Sequence, residues 1–162
     1  MKNMTVKRVS LLCITGVLFA CNGNKEGSAS TVDKEEIKKT IQAKENEFAE
    51  IYNTGVLKNI GYYADDATTY LQNQAPLVGK AAILAFLESD LSSNTNKITF
   101  TTREVFPSND GEQVVEVGSF KVVDSTNSPV NSGNYISLFQ KKDGKYYAVR
   151  DMSTSDGVRL RD

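Results

Sequence analysis

The sequence has no histidine and no tryptophan in its 162 residues, and only two cysteines and three prolines. Without histidine there is no Ser–His–Asp triad, no imidazole general base and no imidazole metal ligand. Cys13 lies in an N-terminal apolar run, so Cys21 has no disulfide partner and no CxxC pair exists. Thiol redox chemistry and cysteine–zinc sites are therefore excluded. A metal would need carboxylates, carbonyls and water, which suits calcium or magnesium. No clustered DxDxD pattern offers such a site, and neither metal nor cofactor is expected. A Gly-rich phosphate loop, GxSxG and SxxK are also missing. Lys2, Lys7 and Arg8 fall in the first 20 residues, which carry no acid; the remainder holds 16 basic against 20 acidic side chains, a net charge near −4. Nothing is basic enough to bind nucleic acid.

Residues 1–8 are polar and positive, and Val9 to Ala20 form an apolar run of 12. A membrane-spanning helix needs about 20 apolar residues, so this run has the size of an export signal instead. Its end, Leu18-Phe19-Ala20-Cys21, resembles the lipobox of bacterial lipoproteins. That resemblance implies cleavage after residue 20, lipidation of Cys21 and attachment to a cell-envelope membrane by acyl chains alone. Asn22, where an Asp would signal inner-membrane retention, favours the outer membrane. The polar residues after Cys21 suit a flexible tether over 21–32, with a reach on the order of 17 Å. One domain is expected over 33–156, followed by a tail at 157–162; its length should bury roughly 70% of the unfolded surface.

Asp33 with Glu36 three residues on predicts a helix start. Ile37, Ile41, Phe48 and Tyr52 then share one helical face until Asn53-Thr54-Gly55 stops the helix. A short second helix is expected over Val56–Tyr62, a short strand over Ala67–Leu71, and a third helix from Lys80 to Leu91. Everything after Asn96 alternates as sheet: Lys97–Phe106 with Ile98, Phe100, Thr102 and Phe106 on one side, then Gln113–Val123, Gly133–Lys142 and Lys145–Ser155. Asp143-Gly144 between the last two runs is a hairpin signal. The order predicts an α+β fold, three N-terminal helices packed on a bent antiparallel sheet.

The pieces Tyr52-Asn53-Thr54-Gly55, Tyr63-Ala64-Asp65-Asp66-Ala67, Pro76-Leu77-Val78-Gly79-Lys80-Ala81-Ala82-Ile83 and the closing Lys142-Asp143-Gly144-Lys145-Tyr146 with Val149-Arg150-Asp151 come in a telling order. Together they resemble the nuclear transport factor 2-like superfamily, in particular its SnoaL-like and ketosteroid-isomerase-like members. The resemblance implies a cone-shaped fold, a pocket open at one end and homodimers paired through the outer sheet face. It also puts the steroid isomerases' general-base Asp at about Leu71 and their helical Tyr near Phe48. Their late acid would fall in a stretch, between Asp124 and Asp143, that has none. The family's dehydratases lean on histidine.

Another carboxylate in an apolar pocket could still do acid–base work, because burial raises its pKa toward neutrality. Glu116 is the leading candidate by strand order and Val flanks, followed by Glu45 on the helix stripe, Glu104 and Asp151. Asp65 and Asp66, between a helix and a strand, suit turn and cap duties. Phe48, Tyr52, Tyr63, Tyr70, Phe86, Phe100 and Tyr135 are expected to line a pocket for a flat or apolar small molecule. One Tyr of each pair, Tyr62-Tyr63 and Tyr146-Tyr147, is expected outside. Arg103 and Arg150 would bind a carboxylate ligand if they faced the cone. Three functions remain in play: a lipid-anchored domain that binds a small molecule without catalysis, an isomerase- or cyclase-type enzyme pairing a buried carboxylate with a Tyr donor, and a dimeric protein-interaction module.

Overall fold

The computed structural model describes residues 32–57, 60–93 and 95–157. The expected signal, tether, Cys21 and most of the C-terminal tail lie outside the described residues. Helix α1 (Lys34–Thr54) starts where Asp33 accepts the amides of Glu35 and Glu36 at 2.9 and 3.1 Å, and ends at Gly55 in the left-handed region. Strand β1 (Tyr63–Tyr70), the two-residue β2 (Leu77–Val78) and helix α2 (Lys80–Ser93) follow. A meander of β3 (Lys97–Pro107), β4 (Gln113–Val123), β5 (Pro129–Lys142) and β6 (Lys145–Ser155) completes the chain. The six strands form one sheet in the order β2-β1-β6-β5-β4-β3.

Three features depart from the expected architecture. Two helices, not three, are present among the described residues. Leu57 and Ile60, at the expected second helix, are buried and pack inward, but residues 58 and 59 of that segment lie outside the described residues. The sheet is mixed, because β1 pairs parallel with β6, setting Thr69 opposite Asp151. The meander and the short β1–β2 pair follow the antiparallel expectation. Finally, β3 carries a bulge between Thr102 and Glu104. An extra residue reverses the side-chain alternation. Thr102 and Val105 therefore face inward, while Glu104 is exposed and Phe106, expected on the inner side, is half exposed.

Helix α1 lies across the sheet because its stripe Ile41, Glu45, Phe48 and Tyr52 is buried. Phe48 stands at the centre of an aromatic cluster, with ring centroids 4.9 Å from Tyr62, 5.6 Å from Phe100 and 5.9 Å from Tyr63. Two amide side chains fix the helix along edge strand β3. Gln42 accepts from Thr102 N at 2.8 Å and donates to Phe100 O at 3.2 Å; Asn53 accepts from Ile98 N at 2.8 Å and donates to Ile98 O at 2.9 Å. Each amide acts as one rung of a neighbouring strand and satisfies backbone groups that the edge would otherwise leave open. At the far end of the meander Asp143 and Gly144, both at positive φ, form the expected hairpin turn.

Candidate functional site

Between α1, α2 and the concave side of the sheet lies a cavity of about 450 Å³. Phe48, Phe86, Phe100, Tyr52, Tyr63 and Tyr135, six of the seven expected pocket residues, are in its wall. Tyr70 is not. Thr69 faces the cavity, so the next residue on β1 faces out, and Tyr70 is exposed. Leu71 also lines the wall and, like Phe48, has no acid–base group.

The carboxylates fall into a different ranking from the expected one. Glu116 is completely buried, but it is not part of the cavity wall. Its Oε1 accepts the hydroxyls of Thr102 at 2.6 Å and Tyr135 at 2.8 Å. Tyr135 reaches it by lying flat over Gly118, its cross-strand partner, where any Cβ would overlap the ring. Glu116 Oε2 is buried with no hydrogen-bond partner of good geometry. The nearby Glu45 carboxyl can supply the missing proton. Desolvation first, then the charge of Glu116, holds the Glu45 pKa well above the ordinary carboxylate range, while the hydroxyl of Tyr62 that donates to Glu45 Oε1 opposes this. Burial also raises Glu116, but its Thr102 and Tyr135 donors favour its charged form. Of the two, Glu45 therefore keeps its proton to the higher pH, and Glu116 is the first to ionise.

Glu45 does line the cavity, and so does Asp151. Asp151 is partly buried on β6, and the Tyr63 hydroxyl donates to its Oδ2 at 3.3 Å. Desolvation pushes its pKa up to about 6, against the favourable hydroxyls of Thr69 and Tyr63. Thr69 Oγ1 favours the charge by proximity but makes no hydrogen bond of good geometry. Burial thus raises both carboxyls of the wall: Asp151 ionises above about 6, and Glu45 is held well above the ordinary carboxylate range. Burial and the neighbouring acids also raise the phenols of Tyr62 and Tyr63 well above their ordinary value, so both are donors.

The other expected sites fall away. Glu104 is exposed because of the bulge. Asp65 and Asp66 are exposed inside strand β1 and occupy no turn or cap. Arg103 and Arg150 are exposed, bonded to Ser119 Oγ and the Asp66 carbonyl rather than facing the cone. Tyr62 and Tyr63 are both inside. Tyr62 precedes β1, where strict alternation does not hold, and their rings meet edge-to-face at 4.9 Å. Tyr146 is buried and Tyr147 only partly so. Sequence reasoning missed Tyr62, Thr69 and Asp90. Asp90 lines the cavity from α2 and accepts the Tyr52 hydroxyl; its spacing of four from Phe86 and three from Leu87 was the available signal. Among the described residues no group of three or more acids or thiols is placed to hold a metal.

This arrangement, a long helix lying in a curved sheet over a cavity, extends to known proteins. The SnoaL-like domain family matches residues 46–149. The chain belongs to that family. Solved structures with the same fold include a nuclear transport factor 2-like protein with a cystatin-like fold from Novosphingobium aromaticivorans, at 16% identity and TM-score 0.65 over 76% of this chain and 85% of that one. A ketosteroid isomerase-like protein from Erwinia carotovora atroseptica matches at 14% identity and TM-score 0.61, over 76% and 98%. A domain of unknown function from Nostoc punctiforme matches at 14% and TM-score 0.65, over 81% and 82%. No curated protein matches. At these identities the likeness is one of fold, and the chemistry of this SnoaL-like domain rests on its own cavity.

Proposed function

We propose that the cavity binds a small, flat, largely apolar molecule. The observation that carries this reading is the cavity itself: aromatic walls for contact area, and a few convergent polar groups, Asp151, Glu45 and their Tyr partners, for orientation. The test is a fluorescence titration with N-phenyl-1-naphthylamine, whose emission rises in apolar surroundings. Saturable enhancement that falls at least about tenfold in affinity in Leu87→Trp, which fills the cavity from α2, supports the reading. No enhancement, or enhancement indifferent to that substitution, overturns it.

Export and a lipid anchor at Cys21 belong to the same proposal. Cys21→Ser is expected to move the protein from the membrane to the soluble fraction of its host; unchanged membrane retention would reject the anchor.

One observation favours a second reading, acid–base catalysis. Asp151 is an ionisable carboxylate facing the cavity beside a phenol donor, with Glu45, whose pKa burial raises well above the ordinary range, in the same wall. This reading moves the base from Glu116, the expected candidate, to Asp151. A generic probe is 5-nitrobenzisoxazole: the carboxylate takes the C3 proton as the N–O bond breaks, leaving a nitrile and a phenolate. The expected rate rises with pH through a midpoint near 6, where Asp151 ionises. A rate that tracks hydroxide alone sinks the catalytic reading.

A further inference from the structure

We propose that the ligand is a cation, a flat apolar body bearing one ammonium-type charge that seats against Asp151; the inference rests on the binding reading above. Among the described residues the cavity wall contains Glu45, Asp90 and Asp151 and no Lys or Arg. These three acids are not equivalent. Glu45 accepts the Tyr62 hydroxyl and lies against the Glu116 carboxyl, which holds its pKa well up, and Asp90 accepts the Tyr52 hydroxyl. Asp151 is left with a longer contact, 3.3 Å from the Tyr63 hydroxyl.

Directly across the parallel β1–β6 register, Thr69 stands opposite Asp151. Its residue is 4% exposed, it lines the cavity, and its Oγ1, although close enough to favour the Asp151 charge, makes no hydrogen bond of good geometry. A buried polar atom without a well-made hydrogen bond is costly, so native structures leave few of them. Here an anion and a hydroxyl whose oxygen lone pairs are unclaimed by any bond of good geometry converge on one side of the same cavity. A cationic N–H or N–CH₃ group complements both.

Three ligand classes can be compared on these groups. An anion would meet like charge with no cation in the described wall to offset it. A neutral ligand would leave the Asp151 charge desolvated and unpaired, which is costly in an apolar site. A cation recovers that cost and can gain further from the aromatic rings of the wall, Phe48, Tyr62, Tyr63 and Tyr135, whose quadrupoles attract positive charge.

The experiment uses two isosteres, phenyltrimethylammonium and tert-butylbenzene, which differ in one N⁺ for C and hence almost only in charge. Calorimetric titration of the full chain is expected to give at least about tenfold tighter binding of the cation. In Asp151→Asn that preference should shrink to within about threefold, and 4-tert-butylbenzoate should bind the native protein more weakly than either. Equal affinity for the two isosteres overturns the charge inference and leaves the cavity reading standing. Binding of neither overturns both. A cation preference that survives Asp151→Asn overturns the assignment to Asp151.

Discussion

Asp151→Asn is expected to make the protein more stable at pH 7 while removing what the cavity does. The folded-state pKa of Asp151 lies at about 6 against an ordinary 3.8. A raised acid pKa means that the folded state binds its proton more tightly than the unfolded state. The stability it contributes is complete below pH 3.8 and is lost as pH rises through 6. At pH 7 the native protein therefore carries a penalty of up to about 3 kcal/mol, smaller to the extent that solvent in the cavity screens this partly buried group. Asparagine keeps an oxygen for the Tyr63 hydroxyl and carries no such charge. Urea unfolding should show the variant ahead at pH 7 and the gap closing near pH 4. The same variant should slow 5-nitrobenzisoxazole opening by about 10²–10⁴-fold if Asp151 is a base. A variant less stable than the parent at pH 7 would mean that the folded structure already compensates the charge, and the case for a bound cation would lose its energetic basis.

The second large effect is an alkaline loss of stability from Glu45 and Glu116. Both have pKa values raised above 4.5 by burial, Glu45 the further of the two because the charge of Glu116 adds to its desolvation, whereas Glu45 itself holds Glu116 down. By the same sign argument, the stability they contribute falls as pH rises from about 4.5 through their folded-state values. Each group lowers unfolding free energy by at most about 1.4 kcal/mol per pH unit within its window. Above the pKa of Glu45 two adjacent carboxylates would sit between α1 and β4 with no cation among the described residues nearby. Removing one charge relieves this. Glu116→Gln eliminates the second-largest influence on Glu45 and leaves an oxygen for Thr102 and Tyr135. Denaturant unfolding between pH 5 and 9 should show a shallower slope in Glu116→Gln than in the parent. Parallel slopes in the two proteins would show that the carboxyls do not share a proton.

Much of this was visible in the residues, for identifiable reasons. Asp33, Gly55 and the Ile41–Phe48–Tyr52 stripe located α1 because caps and helical period are local. Asp143-Gly144 located the last hairpin because its turn needs positive φ at both positions. Burial of Glu116 could be anticipated from its Val-rich strand. Its separation from the cavity could not, because that depends on where the Tyr135 ring lies. Tyr135 can lie flat only because residue 118 across the ladder is glycine. Glu104 and Phe106 were misplaced by one bulged residue, which leaves no mark in an alternating pattern.

By itself, then, the sequence determined which residue chemistries are absent, the ends of α1, the last hairpin turn and the family. Those follow from residue types and short-range periodicity. Only the tertiary structure decided which acids matter. Parallel pairing of β1 with β6 brings Thr69 opposite Asp151 from 82 residues away, and the packing of α1 brings Glu45 against Glu116. The state of a carboxyl depends on desolvation and on neighbours within a few ångströms, and neither exists until the chain has folded.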